Sequence, residues 1–176
     1  WNPADFEVLH EAAVLARRPL AMFGYLGTYF SQPLLQLAFL AEYALFGLDF
    51  APYIAVNLAI HAINACLVYM LVNMLFYRPT MALLAALLFA LGVGSYGKAL
   101  QSVVQLEVPL LAFFHLLVLY LFIRNDFRSD GRVRAPSFVL GLVIYGLAGL
   151  TKASTLSLMG CLLAYKVDAL VRPARP

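Results

Sequence analysis

Three hydrogen-bonding residues, Asn57, His61 and Asn64, stand at i, i+4 and i+7 in an otherwise apolar run. That spacing places them on one stripe of a helix. At lipid depth each side chain must find a partner in protein or trapped water. Two roles are open: the stripe ties helices together through hydrogen bonds, or it lines a polar cavity that holds part of a ligand. The sequence offers further polar groups for the same region in Glu42, Gln101, Gln105, Glu107 and Lys152. Glu107 suits a general base if its pKa matches the task, and Lys152 suits a point charge that holds a phosphate. The plainer alternatives are a solvated acid at a helix end, a lysine that snorkels to the interface, and a histidine that packs. His10 falls on a polar, wet segment. His115 lies deep in an apolar run with no second ligand near it in sequence, so no metal role is assigned. The chain has no nucleophile elbow, phosphate-cradling glycine loop or paired metal motif.

The elements that must position these groups are helices in a membrane. Of 176 residues, 64% are hydrophobic and only 12% charged, and the mean hydropathy is +0.87. A soluble domain is nearer half apolar and a quarter charged. The expected fold is all-α and polytopic, with about five transmembrane helices over roughly 52–77, 79–94, 99–124, 136–151 and 153–171. A short amphipathic helix with Phe6, Leu9, Ala13 and Ala16 or Arg17 on one face, and a re-entrant or interfacial helix over 34–46, precede them. This divides the chain into extracytoplasmic interfacial helices (1–50) and a transmembrane bundle (51–176). Pro52 suits the first turn of the leading span. Pro109 either kinks the third span or starts it after a short surface helix. Tyr25, Tyr29, Tyr43 and Tyr53 suit the headgroup zone. Cys66 and Cys161 read as buried thiols. The chain begins at Trp1 rather than Met, so it is expected to be processed or truncated there.

Charge sets the orientation. Five alternating spans put Arg78, Arg124, Arg128, Arg132, Arg134, Lys166, Arg172 and Arg175 on one side, eight of the twelve basic residues. Basic residues mark the cytoplasmic side. Residues 1–50, the region 95–107 and the turn at 151–154 then face outward, while the 124–135 loop and the C-terminus are cytoplasmic. The net charge of +3 fits this sorting. With no aromatic-plus-basic stripe, no nucleic-acid partner is expected.

Leu45-Phe46-Gly47-Leu48-Asp49, then Tyr53, Val56-Asn57-Leu58 and His61-Ala62-Ile63-Asn64-Ala65 resemble a signature of GT-C-fold membrane glycosyltransferases. The nearest branch is the protein O-mannosyltransferase-like group, which includes tetratricopeptide-bearing transmembrane transferases. Leu87-Leu88-Phe89-Ala90-Leu91 and Leu150-Thr151-Lys152-Ala153 extend the resemblance over about 30–170. It implies sugar transfer from a polyprenyl-phosphate donor at the outer face. Lys152, Gln105, His61 and Asn57 would then bind the donor phosphate. The family's base is an acid in the first external loop, and here the nearby acids are Asp5 and Glu7. No catalytic residue is assigned; Asp5 and Glu107 are the carboxylates to consider.

The chain also departs from the family pattern. Within residues 1–176 the family's first membrane helix and its carboxyl-terminal spans and acceptor domain are not expected. Arg-Pro-Leu is Gln32-Pro33-Leu34, although Arg18-Pro19-Leu20 occurs earlier. His-Pro is Gly92-Val93, and Lys-Glu is Lys152-Ala153. The expected function is therefore a non-catalytic accessory or scaffold subunit of a membrane complex, with membrane lipids and other integral membrane subunits as partners. Polyprenyl-phosphate or another lipid is the only expected bound group. The alternative is a fragment of an active transferase.

Overall fold

The computed structural model describes residues 3–17, 32–92, 102–128, 135–151 and 155–171. Seven α-helices account for most of them, and the described residues contain no strand. They are α1 (Pro3–Arg17), α2 (Pro33–Phe46), α3 (Phe50–Phe76), α4 (Pro79–Leu91), α5 (Glu107–Arg128), α6 (Ala135–Thr151) and α7 (Leu156–Val171). A 3₁₀ turn, Val103–Leu106, precedes α5.

The turn from α2 into α3 shows how local chemistry fixes the geometry. Gly47 has φ +59° and ψ −123°, a region that side chains with a Cβ avoid. Its N–H donates to the Tyr43 carbonyl, and its own carbonyl accepts the Tyr53 hydroxyl at 2.7 Å. The Asp49 side chain caps α3 by accepting the Ala51 N–H at 3.2 Å, which satisfies one of the orphan donors of a helix start. Phe46 and Tyr53 pack edge to face, with centroids 5.7 Å apart. Each residue of the Phe46-Gly47-Asp49-Tyr53 pattern therefore has a mechanical task. Tyr53 is fully buried rather than half wet at a headgroup level, because its hydroxyl is committed to the turn.

At the far end of α3, Tyr77 takes the left-handed conformation and donates its N–H to Asn73. Pro79 follows in the first turn of α4. The resulting hairpin is close: Ala82 and Ala86 are the buried residues of α4, and their small side chains let it lie against α3. α5 runs parallel to α3. Asn57 and Asn64 of α3 bond to carbonyls of Ser102 and Pro109, 45 residues on in both cases. α6 packs along α5 and also touches α2. Over the first turns of α3, α1 and α2 pack on one another and on the 3₁₀ turn. They share a core of Leu9, Ala12, Leu35, Phe39, Tyr53, Val103 and Leu106.

Several expectations change. Among the described residues two helices, not five, are long and apolar enough to cross a membrane: Phe50–Phe76 and Glu107–Arg124. α4 has 13 residues, about 20 Å at 1.5 Å per residue, and α6 and α7 have 17 and 16. Apolar composition marks a helix for transfer but does not set its length. Gly92 ends α4, and a Cβ there would lie 2.7 Å from the Leu88 carbonyl oxygen. Pro109 falls in the first turn of α5, so it starts that helix after a 3₁₀ turn and does not kink it. The buried face of α1 carries Asp5, Leu9 and Ala12, and Phe6 is exposed. Cys66 and Cys161 are exposed because they stand on outward helix faces, among apolar neighbours such as Ile63, Met70 and Met159.

Candidate functional site

The polar stripe of α3 is buried where two shorter elements end beside it. Asn57, His61 and Asn64 are 1%, 6% and 0% exposed. Asn57 Nδ2 donates to the Ser102 carbonyl at 3.2 Å. His61 Nε2 donates to the Ala90 carbonyl in the last turn of α4 at 3.3 Å. Asn64 Nδ2 donates to the Pro109 carbonyl in the first turn of α5 at 2.8 Å. Phe89 stacks on the His61 ring, with centroids 5.2 Å apart and planes within 22°.

The arrangement has a physical logic. α4 stops and α5 starts at one level of α3, so polar backbone lies in a buried place there, including the last-turn carbonyls of α4 that lack a helical donor. An unpaired buried carbonyl costs about 1–3 kcal/mol, more in hydrocarbon. The stripe supplies an N–H to the Ala90 carbonyl in that last turn, and a second donor to Ser102, whose carbonyl also accepts the Gln105 N–H, and to Pro109 inside the first turn of α5. The Oδ1 atoms of both asparagines are buried and accept no hydrogen bond. Their amide orientation is still determined, because a carbonyl can be met only by the NH₂ end.

Asp5 joins this cluster from α1. It is 1% exposed, and its Oδ1 accepts the Ser102 hydroxyl at 2.7 Å. Ser102 thus receives Asn57 on its carbonyl and gives its hydroxyl to Asp5, linking three distant segments. No pattern in the sequence singled out Ser102. Its part depends on a long-range contact with Asp5, 97 residues away.

The remaining candidates divide. Gln105 is half-buried in the 3₁₀ turn, and Glu107 is half-buried at the first position of α5. Both continue the segment that Asn57 and Asn64 hold. Glu42 is 7% exposed, and its Oε1 meets no donor. Burial pushes its carboxyl up to about 7. Gln101 and Lys152 lie outside the described residues. Thr151, the last residue of α6, and Thr155, just before α7, are both buried. Thr151 Oγ1 donates to Leu147 O and Thr155 Oγ1 to Ala148 O. The His115 Nδ1–H bonds back to Leu111 within its own helix at 2.8 Å. Among the described residues no group of three or more His, Cys, Asp or Glu is arranged to hold a metal ion.

No protein-family model, curated protein or solved structure matches the chain.

Proposed function

We propose that this chain is an integral membrane module of GT-C-like design that serves as a non-catalytic accessory or scaffold subunit of a membrane complex. The carrying observation is the use made of the α3 stripe. Two of the four residues expected to bind a donor, Asn57 and His61, and Asn64 on the same stripe each give a hydrogen bond to a backbone carbonyl of another segment. They hold helices in register. A membrane setting is favoured by the inverted distribution around them. The polar stripe is buried, while Leu58 and Ile63 on the same helix are about half exposed, at 49% and 48%. Only 28% and 17% of the two apolar windows in α3 and α5 are buried, far less than in the core helix of a soluble protein. The charge sorting supports residues 1–50 on the outer side and the C-terminus in the cytoplasm, with the shorter helices completing the bundle. The test is the mass of the native assembly released in mild detergent. Stoichiometric partner membrane proteins are expected, and a solitary chain would contradict the scaffold role.

One observation favours the transferase alternative. Asp5 is brought to the outer end of the stripe although its sequence context matches no motif. In that reading Asp5 is the base, and Lys152, Gln105, His61 and Asn57 bind a polyprenyl-phosphate sugar. Sugar transfer by the chain that is lost in Asp5→Asn would establish it.

A further inference from the structure

We infer that the face formed by α4 fits a thinned bilayer, so that lipids bordering it are selected for short acyl chains; this rests on the membrane reading above. α4 spans 13 residues, about 20 Å of helix, against about 30 Å for a bilayer's hydrocarbon core. Its sequence from Pro79 to Leu91 carries no charge. Its outward residues Leu83, Leu84, Leu87, Leu88 and Leu91 are all exposed, and α3 is the helix it packs on.

Both ends of this apolar band are pinned. At one end Phe76, Tyr77 and Arg78 are exposed together, an aromatic and cationic set that belongs at a headgroup interface. At the other, the helix stops where His61 holds the Ala90 carbonyl. Asn57 holds Ser102 one turn of α3 further out. Ala90 and Ser102 therefore lie within one turn of α3 of each other, about 10–16 Å short of the start of α3 at Phe50. A 30 Å hydrocarbon layer laid against α4 would leave its outer third facing the polar end of the helix. Thinning the layer or gathering shorter chains removes that mismatch at a modest cost per Å.

The side of α3 away from α4 has no such limit. Ile63 stands two positions on from His61, about 200° round the helix. It is exposed on a helix of 27 residues. It lies at the depth where α4 stops, which makes it a matched control.

The experiment places a single tryptophan at Leu88→Trp or at Ile63→Trp, each in a Trp1→Phe background. The full chain is reconstituted in phosphatidylcholine vesicles. Quenching by brominated dimyristoleoyl, dioleoyl and dierucoyl phosphatidylcholine in competition gives relative lipid affinities at each site. At Leu88→Trp the dimyristoleoyl lipid is expected to bind about two-fold or more tightly than the dioleoyl lipid. At Ile63→Trp the dioleoyl lipid is expected to bind at least as well as the shorter one. The same chain-length order at both sites, or a preference for the longest chains at Leu88→Trp, would overturn the inference and leave the membrane reading intact. No quenching by any brominated lipid at either site would overturn both.

Discussion

Asn64 and Pro109 meet across 45 residues of chain, the asparagine Nδ2 2.8 Å from the proline carbonyl oxygen. Asn57 repeats the relationship with Ser102 two turns of helix away. Two bonds of the same offset lock α3 and α5 in parallel register, with the 3₁₀ turn held between them. On α3 the polar stripe is buried while Leu58 and Ile63 are about half exposed, and this local inversion underlies the proposed membrane scaffold.

Removing one of these bonds takes away an interhelical donor and leaves the carbonyl with its local backbone partner alone. Asn64→Ala is expected to destabilise the folded chain by about 1–2 kcal/mol, near the upper end for interhelical bonds in membranes. Asn57→Ala should cost less, since its bond is longer. Unfolding titrations in detergent micelles measure both, and equal stability of Asn64→Ala and the unaltered chain would show that the register is held by apolar packing.

The α2–α3 turn depends on backbone freedom at one position. Gly47→Ala places a Cβ at φ +59° and ψ −123° and should cost about 1–3 kcal/mol. No neighbouring atom lies within 4 Å of that Cβ, so the penalty comes from the backbone alone. Tyr53→Phe removes only the hydroxyl bond to Gly47 and should cost about 1 kcal/mol. Thermal unfolding of the two variants should rank them in that order.

Gly92 is constrained by contact instead. A Cβ there meets the Leu88 carbonyl oxygen at 2.7 Å, and that oxygen already accepts the Gly92 N–H. Gly92→Ala should loosen the end of α4 and with it the His61–Ala90 bond. Faster amide hydrogen exchange confined to the last turn of α4 is the expected sign, and unchanged exchange would contradict it.

Glu42 makes stability depend on pH. Its carboxyl titrates near 7 in the folded chain, against an ordinary 4.5, because burial disfavours the charged form. Between those values the unfolded chain has released a proton that the folded chain keeps. Stability should therefore fall as pH rises from about 4.5 to 7 and level off above, by up to about 3 kcal/mol. Glu42→Gln should flatten this slope and stabilise the chain at pH 8. A slope that survives the substitution would assign it to another group.

Much of this is legible in the residues themselves. The apolar run with its polar stripe marks α3 to within two residues at its start and one at its end. Phe46-Gly47-Leu48-Asp49 marks the turn before it, because glycine and a capping acid are local requirements. What composition hides is length. The run 79–94 reads as a span, yet α4 ends at Leu91, with His61 bonded to Ala90 and stacked on Phe89 at that point. Long-range partners are equally hidden: nothing local joins Asp5 to Ser102, or turns Asp5 rather than Phe6 toward the core of α1.

Accessibility of spin labels around α3 tests the inverted packing most directly. With Cys66→Ala and Cys161→Ala as background, single labels are placed through Leu58→Cys, Ile63→Cys and Leu88→Cys in reconstituted vesicles. Relaxation is compared between oxygen, which concentrates in lipid, and a water-soluble nickel chelate. High oxygen and low nickel accessibility at all three positions is the expected result. High nickel accessibility at Leu58→Cys and Ile63→Cys would put that face of α3 in water and contradict the membrane scaffold.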